Sequence, residues 1–420
     1  MSAAASPTPG WRRDRFDLPA DLVYLDGNSL GALPRGVAER VGAAVHEEWG
    51  AGLIRSWNAT PDGGEGWIVR SRGCAARLAP LIGAAADEIQ VGESTSQGLF
   101  AAAVAGVRLR PGRRVVVLDR TTFPTDAYVL TSVARLLDLE LRWCEGPGHD
   151  GGVEAVRAAL TGAPDEVALV ALTEVDFRTG ARYDLPAVTA AVHEAGALAL
   201  WDLCHSAGAF AVDLRAAGAD LAVGCTYKYL NGGPGSPAYT WVAERHHADL
   251  DPPVTGWMGH AEPFAMRLDH EPAAGVGRLR VGTPPILGLT ALEAALAAFE
   301  GVEPADLGAA SATLTERFLA RVDAVAAAHP DETLDVVTPR DPARRGSQVS
   351  FRHPEANGVV QALIARGVIG DYRDPGIARF GFAPLYVTLD DVDRAADALD
   401  DVLATRAYAN PAYATRPAVT

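Results

Sequence analysis

Between about residues 75 and 245 the chain alternates short apolar runs with longer stretches in which apolar positions recur every three to four residues. The runs RRVVVLD (113–119), VALVALTEV (167–175), ALALWD (197–202) and ADLAVGCT (219–226) show little polar alternation. A strand without alternation is covered on both faces, which is the pattern of a parallel sheet between helices. TDAYVLTSVARLLD (125–138) and LPAVTAAVHEAG (185–196) carry the helical period. Together they predict an α/β fold: a large domain with a mostly parallel sheet covered by helices. A long helical region follows from 286 to 328. After it, LDVVT, GSQVSFR and ARFGFAPLY alternate with the helical GVVQALIARG and DDVDRAADALDDVLA, which predicts a smaller α+β domain. The expected division is a segment 1–60 that contributes to both domains, a large domain 61–290 and a small C-terminal domain 291–420.

Parallel sheets of this kind bind ligands beyond the carboxyl ends of their strands. The polar residues that interrupt the apolar pattern fall there: Asp119 to Asp126, Thr173, Asp202 to His205, and Tyr227-Lys228. GESTSQGLFAAAVAG (92–106) is a Gly/Ser/Thr turn that feeds a helix, which suits a phosphate at the helix N-terminus or an ordinary N-cap. Phe123, just after a strand, is placed either to stack on a flat ligand or to fill the core.

Composition sharpens this picture at one residue. The chain has 37 Lys plus Arg, and Lys228 is its single lysine, so the other 36 are arginine. Arginine serves as a surface cation or phosphate ligand as well as lysine does, but guanidinium does not act as an amine nucleophile. A sole surviving lysine is therefore a candidate for imine chemistry. Pyridoxal phosphate asks a protein for such a lysine, an acid near its pyridine nitrogen, phosphate donors and a flat surface against its ring. Asp202, at the end of ALALWD, is the candidate acid.

The remaining composition mainly excludes. A formal charge of −16 argues against general nucleic-acid or anionic-membrane binding. No apolar run approaches the length of a membrane span. Cys74, Cys144, Cys204 and Cys225 form no CxxC pair and no zinc spacing, and are expected as reduced thiols in a cytoplasmic protein. The opening MSAAASPTPGWRRDR lacks the layout of a signal peptide.

The motifs taken together resemble the kynureninase family of fold-type-I pyridoxal-phosphate enzymes. The matching stretches run in order: YLDGNSLGALP (24–34), LIRSWN (53–58), FPTD (123–126), LTEVDFRTG (172–180), WDLCHSAGA (201–209), GCTYKYLNGGPG (224–235), GWMGH (256–260), RVGTPPIL (280–287) and ARFGFAPLY (378–386). The resemblance implies that Lys228 carries the cofactor as an imine, that Asp202 pairs with the pyridine nitrogen with His205 close by, and that Phe123 stacks on the ring. It implies that Thr95, Ser96 and Asp126 seat the cofactor, with Thr173 near the ring hydroxyl. Tyr227 is implied at the phosphate and as a proton donor, and Arg379 as the clamp on the substrate α-carboxylate with Asn28 and Ser29 nearby. Trp257 and Thr283 are implied as contributions from the second subunit of a homodimer.

The implied reaction is hydrolysis of the Cβ–Cγ bond of L-kynurenine to anthranilate and L-alanine in tryptophan degradation. Thr283 stands where some relatives have Asn, which points to kynurenine over its 3-hydroxy form. The alternatives are a desulfurase or selenocysteine lyase of the same fold, an aminotransferase, and a non-catalytic pyridoxal-phosphate binder. The desulfurases use a cysteine on a late loop, and here Cys225 is the last cysteine. Glu174 and Asp176 in LTEVDFRTG are either salt-bridged groups behind the site or exposed.

Overall fold

A computed structural model describes residues 7–413, apart from 149 and 163, together with Arg416. The chain opens with β1 (Val23–Tyr24), α1 (Val37–Ala43) and α2 (Arg70–Leu78). The strands β2 (Ile89–Val91), β3 (Val115–Asp119), β4 (Glu140–Cys144), β5 (Val167–Thr173), β6 (Leu198–Asp202), β7 (Leu221–Gly224) and β8 (Tyr239–Val242) form one sheet in the order β2-β8-β7-β6-β5-β3-β4. Only β8 runs against the other six. The helices between them are α3 (Thr95–Arg108), α4 (Pro124–Leu137), α5 (Val153–Leu160) and α6 (Leu185–Glu194).

The absence of alternation in the sequence has its reason here. Every residue of β3, β5, β6 and β7 is buried. Val115, Val117, Val170, Leu172 and Trp201 face one core with α5 and α6. Val116, Leu118, Leu169, Ala171 and Leu200 face the other, with α3 and α4. By contrast β4 lies at the sheet edge and buries only Cys144.

The C-terminal part adds α7 (Ile286–Leu296), which packs on α1 and α2, and α8 (Pro304–Ala328). It continues with β9 (Asp335–Val336), β10 (Gln348–Arg352), α9 (Ala356–Ile364), β11 (Val368–Ile369), β12 (Asp371–Arg373), β13 (Ile377–Gly381) and α10 (Leu389–Ala404). A four-stranded antiparallel sheet has the order β12-β13-β10-β9, and β1 pairs in parallel with β11. The N-terminal segment thus joins the C-terminal layer through β1 and through a bridge from Asp26 to Gly381. It then crosses to the large sheet, where Gly31 N donates to Tyr227 O at 2.8 Å. Among the described residues no helix is long and apolar enough to cross a membrane.

Candidate active site

The ends of β3, β5, β6 and β7 lie on one edge of the sheet, so Asp119, Thr173, Asp202 and Gly224 define a common rim. A cavity of about 400 Å³ opens above it. Twelve of the sequence-derived site residues line it: Asn28, Ser29, Thr95, Ser96, Phe123, Asp126, Thr173, Asp202, His205, Tyr227, Lys228 and Arg379. These positions are up to 351 residues apart in sequence and are brought together by the sheet and the crossing N-terminal segment.

Lys228 sits in the turn after β7. Its Nζ lies 3.0 Å from His205 Nε2. Burial lowers the pKa of His205, and the Lys228 and Arg379 charges lower it further, so the neutral ring accepts from the amine. Burial alone would lower Lys228 too, but Cys225, Cys204, Tyr227 and Asp202 around it outweigh that and hold it above the ordinary lysine value. His205 Nδ1 is buried with no hydrogen-bond partner among the described residues. The Phe123 ring centroid lies 6.0 Å from Lys228 Nζ and that of Tyr227 5.8 Å away. Burial pushes the Tyr227 phenol up to about 12, so it keeps its proton near neutral pH.

The turn itself is built by GCTYKYLNGGPG. Asn231 takes a left-handed conformation (φ 59°) and its N donates to Lys228 O at 2.9 Å. Gly233 also has positive φ (88°), and a Cβ there would meet nothing within 4 Å. Its glycine therefore answers a turn requirement rather than close packing within the chain.

Opposite the lysine, α4 begins with Phe123 at its N-cap and Pro124 in its first turn. This places Asp126 inside the cavity, where Thr173 Oγ1 donates to its Oδ2 at 3.1 Å and Thr122 Oγ1 at 3.3 Å. Burial, and then the nearby Asp202 carboxylate, raise the pKa of Asp126 well above the usual range. Asp202 Oδ1 accepts from Cys204 N at 2.6 Å, which fixes its rotamer. At the third wall, Ser94 caps α3 in a reciprocal pair with Gln97. The first-turn amides of Thr95 and Ser96 belong to the set that no intrahelical bond satisfies.

Arg379, on β13, is buried and already held. Its Nε donates to Asp371 Oδ1 at 2.7 Å, its Nη1 to Phe177 O at 2.7 Å and its Nη2 to Ser29 Oγ at 2.8 Å, with a further bond from Nη2 to Asp371 Oδ2. Of its five N–H groups this leaves one on Nη1 for a ligand. Arg373, on β12, lines the same cavity and bonds Asp371 Oδ2 at 2.6 Å. Thr125 and Cys204, inside FPTD and WDLCHSAGA, also line the cavity, as do Arg373 and Phe177, for which the sequence offered no role. Phe177 lies in a quoted motif and packs edge-on against Phe123 at 5.1 Å. Arg373 carried no signal beyond its proximity to ARFGFAPLY.

Two residues stand apart. Trp257 is exposed and packs edge-on against Phe264 at 5.6 Å, and Thr283 is exposed; neither lines the lysine cavity of its own chain. Their neighbours Met258, Gly282 and Pro284 line a second, more apolar cavity of about 480 Å³ that shares Ser96 with the first. Glu174 and Asp176 are buried groups behind the site. Glu174 Oε1 pairs with Arg182 Nε at 2.9 Å, and Asp176 Oδ1 caps the turn after Phe177 by accepting from Arg178 N and Thr179 N at 2.7 and 2.8 Å. Among the described residues no cluster has the donors to hold a metal ion.

This donor set fits pyridoxal phosphate. Two facing buried acids, one pushed toward its neutral form, match a cationic ring N–H. The α3 N-terminus suits a phosphate, Phe123 offers a flat face and Lys228 the amine. The fold agrees. The apo structure of a cysteine desulfurase from Thermococcus onnurineus NA1 superposes with a TM-score of 0.78 at 19% identity, covering 96% of this chain and all of that one. A C-DES variant with glycine covalently linked to its PLP cofactor gives 0.78 at 16%, covering 93% and 99%. Fold and site together define a fold-type-I pyridoxal-phosphate enzyme.

Sequence comparison narrows the class. A kynureninase of Deinococcus radiodurans is 49% identical over 393 residues, 93% of this chain and 92% of that protein. One from Burkholderia mallei is 48% identical over 414 residues, 97% and 95%. Residues 307–399 match the kynureninase C-terminal domain model. The chain belongs to the kynureninase family.

Proposed function

We propose that this enzyme hydrolyses L-kynurenine at its Cβ–Cγ bond to anthranilate and L-alanine. The observation that carries the reading is the sole lysine of a kynureninase-family chain, half-buried in the cavity between a neutral histidine and a protonated tyrosine at the carboxyl edge of the sheet. When bound, pyridoxal phosphate supplies a carbonyl for imine exchange and an electron sink for charge developing on the substrate α-carbon. Asp202, with Asp126 beside it, would keep the ring nitrogen protonated, and Phe123 would support the ring plane. Thr95 and Ser96 would hold the phosphate, Thr173 would meet the ring hydroxyl, and His205 would contact the cofactor. Arg379 orients the substrate carboxylate, assisted by Asn28 and Ser29. Lys228 would remove the substrate α-proton, with neutral His205 as acceptor 3.0 Å from its Nζ. Water adds to the γ-carbonyl, the Cβ–Cγ bond breaks, and Tyr227 delivers a proton to Cβ.

The reading extends to assembly. Trp257 and Thr283, exposed on their own chain, are assigned to the cofactor and substrate of a second copy in a homodimer. The exposed Leu30, Trp49, Ile54, Phe264 and Leu268 support such an interface. Residues 61–290 are assigned to the large domain and 291–420 to the small one, with 1–60 spanning both. Four unpaired cysteines favour a cytoplasmic location. The deciding experiment is incubation of cofactor-loaded enzyme with L-kynurenine, reading fluorescent anthranilate and L-alanine in equal amounts. Absence of anthranilate, or sulfide release from L-cysteine instead, overturns the assignment.

A further inference from the structure

The wall that carries Arg379 holds two arginines and two aspartates. Asp371 Oδ1 and Oδ2 accept from Arg379 Nε and Nη2, and Oδ2 also meets Arg373 Nη2 at 2.6 Å. Ser29 Oγ sits at the centre, donating to Asp371 Oδ2 at 2.7 Å while accepting from Arg379 Nη2 at 2.8 Å and Arg373 Nη2 at 3.1 Å. The fourth charge is Asp26. Its backbone bridges Gly381, at the end of the strand that carries Arg379. The Asn28 amide, turned so that its oxygen meets donors, accepts from Arg379 Nε at 3.1 Å and donates to Asp26 Oδ1 at 3.2 Å.

We propose that Asp26 is a proton-linked positioning residue for the substrate carboxylate. Ionised, it completes a neutral set with Asp371, Arg373 and Arg379. Protonated, it leaves that set with one positive charge, which an incoming carboxylate neutralises. Binding of the amino-acid substrate therefore draws a proton onto Asp26. The inference rests on Arg379 being the carboxylate site.

The surroundings single out Asp26 as the group that titrates. Facing it are Asp371, Arg373, Arg379, Tyr24, Tyr229 and Tyr386. Burial raises all three phenols, so they stay protonated. Burial would raise Asp371 as well, but the Arg379 and Arg373 guanidiniums hold it below the ordinary carboxylate value. For Asp26, burial and the Asp371 charge outweigh the Arg379 charge, the Ser29 hydroxyl and the Arg373 charge, and it is pushed up to about 7. A ligand carboxylate adds negative charge and raises it further, so affinity is full below pH 7 and falls as pH rises through that value.

The test titrates the cofactor-loaded enzyme with L-alanine by calorimetry, from pH 6 to 8, in two buffers of different ionisation enthalpy. The wild type is expected to take up protons on binding near pH 7, with Kd rising by up to about tenfold per pH unit above it. Asp26→Asn, which is isosteric and permanently neutral, is expected to lose that uptake and flatten the profile. Asp26→Ser repeats the measurement should the amide fail to fold. Any titration of the cofactor imine persists in the variants, so the difference between profiles reports Asp26. Parallel profiles for wild type and variants overturn the role of Asp26. An L-alanine affinity that Arg379→Lys leaves unchanged overturns instead the carboxylate site, and this inference with it.

Discussion

Gly31→Ala tests whether the N-terminal segment sets the position of the reactive lysine. A Cβ at Gly31 would stand 2.2 Å from Lys228 O, 2.4 Å from Asn231 Oδ1 and 2.7 Å from Asn231 Cα. Two of these three atoms are backbone, so no rotamer change relieves the contact. Non-bonded heavy atoms settle roughly 3.5 Å apart, so the segment or the lysine turn must retreat by on the order of 1 Å. The same movement strains the bond from Gly31 N to Tyr227 O. Overpacking of this kind costs about 1–3 kcal/mol of stability. The functional cost is the more telling one. Displacing a reacting group by about 1 Å loses on the order of 10²-fold in rate, or about 2.7 kcal/mol of transition-state stabilisation. The assay is steady-state anthranilate release at saturating cofactor, with thermal melting followed by circular dichroism. Gly42→Ala is the control: it lies in α1, and its Cβ meets nothing within 4 Å. It is expected to keep full activity and gain up to about 1 kcal/mol from helix propensity. A Gly31→Ala enzyme with wild-type kcat would show that the turn is positioned by something other than this contact.

Other outcomes follow from the same geometry. Lys228→Arg keeps a cation but loses the amine, and is expected to abolish turnover together with the visible absorbance of the lysine-bound cofactor. Tyr227→Phe is expected to lower kcat by about 10²–10⁴-fold with little change in KM, measured with L-kynurenine across pH, because it removes one proton donor. Arg379→Ala is expected to raise KM strongly while cofactor stays bound, checked by absorbance after gel filtration. It also leaves Asp371 with Arg373 as its remaining cationic partner, so melting is expected to drop, since breaking a buried pair costs about 3–5 kcal/mol. Asp220 accepts from His193, His246, Arg245 and Ala199 N, and these bonds outweigh burial and depress its pKa. Its contribution is present above the unfolded carboxylate value near pH 4 and lost as pH falls below it; Asp220→Asn is expected to flatten acid unfolding measured by fluorescence.

How much of this was readable before folding differs from element to element. β3, β5, β6 and β7 were legible because both faces are covered, which leaves an unbroken apolar signature. β4 gave no such signal, since an edge strand with solvent on its sides has no reason to be apolar throughout. The reversal of β8 depends on how the turn from 224 to 239 closes, and four buried residues read the same in either direction.

For the site, the sequence determined the chemistry. A single lysine among arginines, an acid closing a strand and a Gly/Ser/Thr turn before a helix each state a chemical capability that no packing can add or remove. Which charges share a wall was decided only by tertiary structure. Asp26, Asp371, Arg373 and Arg379 come from a loop after β1 and from β12 and β13, and their balance depends on distances of a few ångströms in a medium that screens poorly. The same holds for Trp257 and Thr283: their motifs are plain in the sequence, yet their own chain carries them away from its lysine. Residue type fixes what a side chain can do, and long-range packing fixes what it does it to.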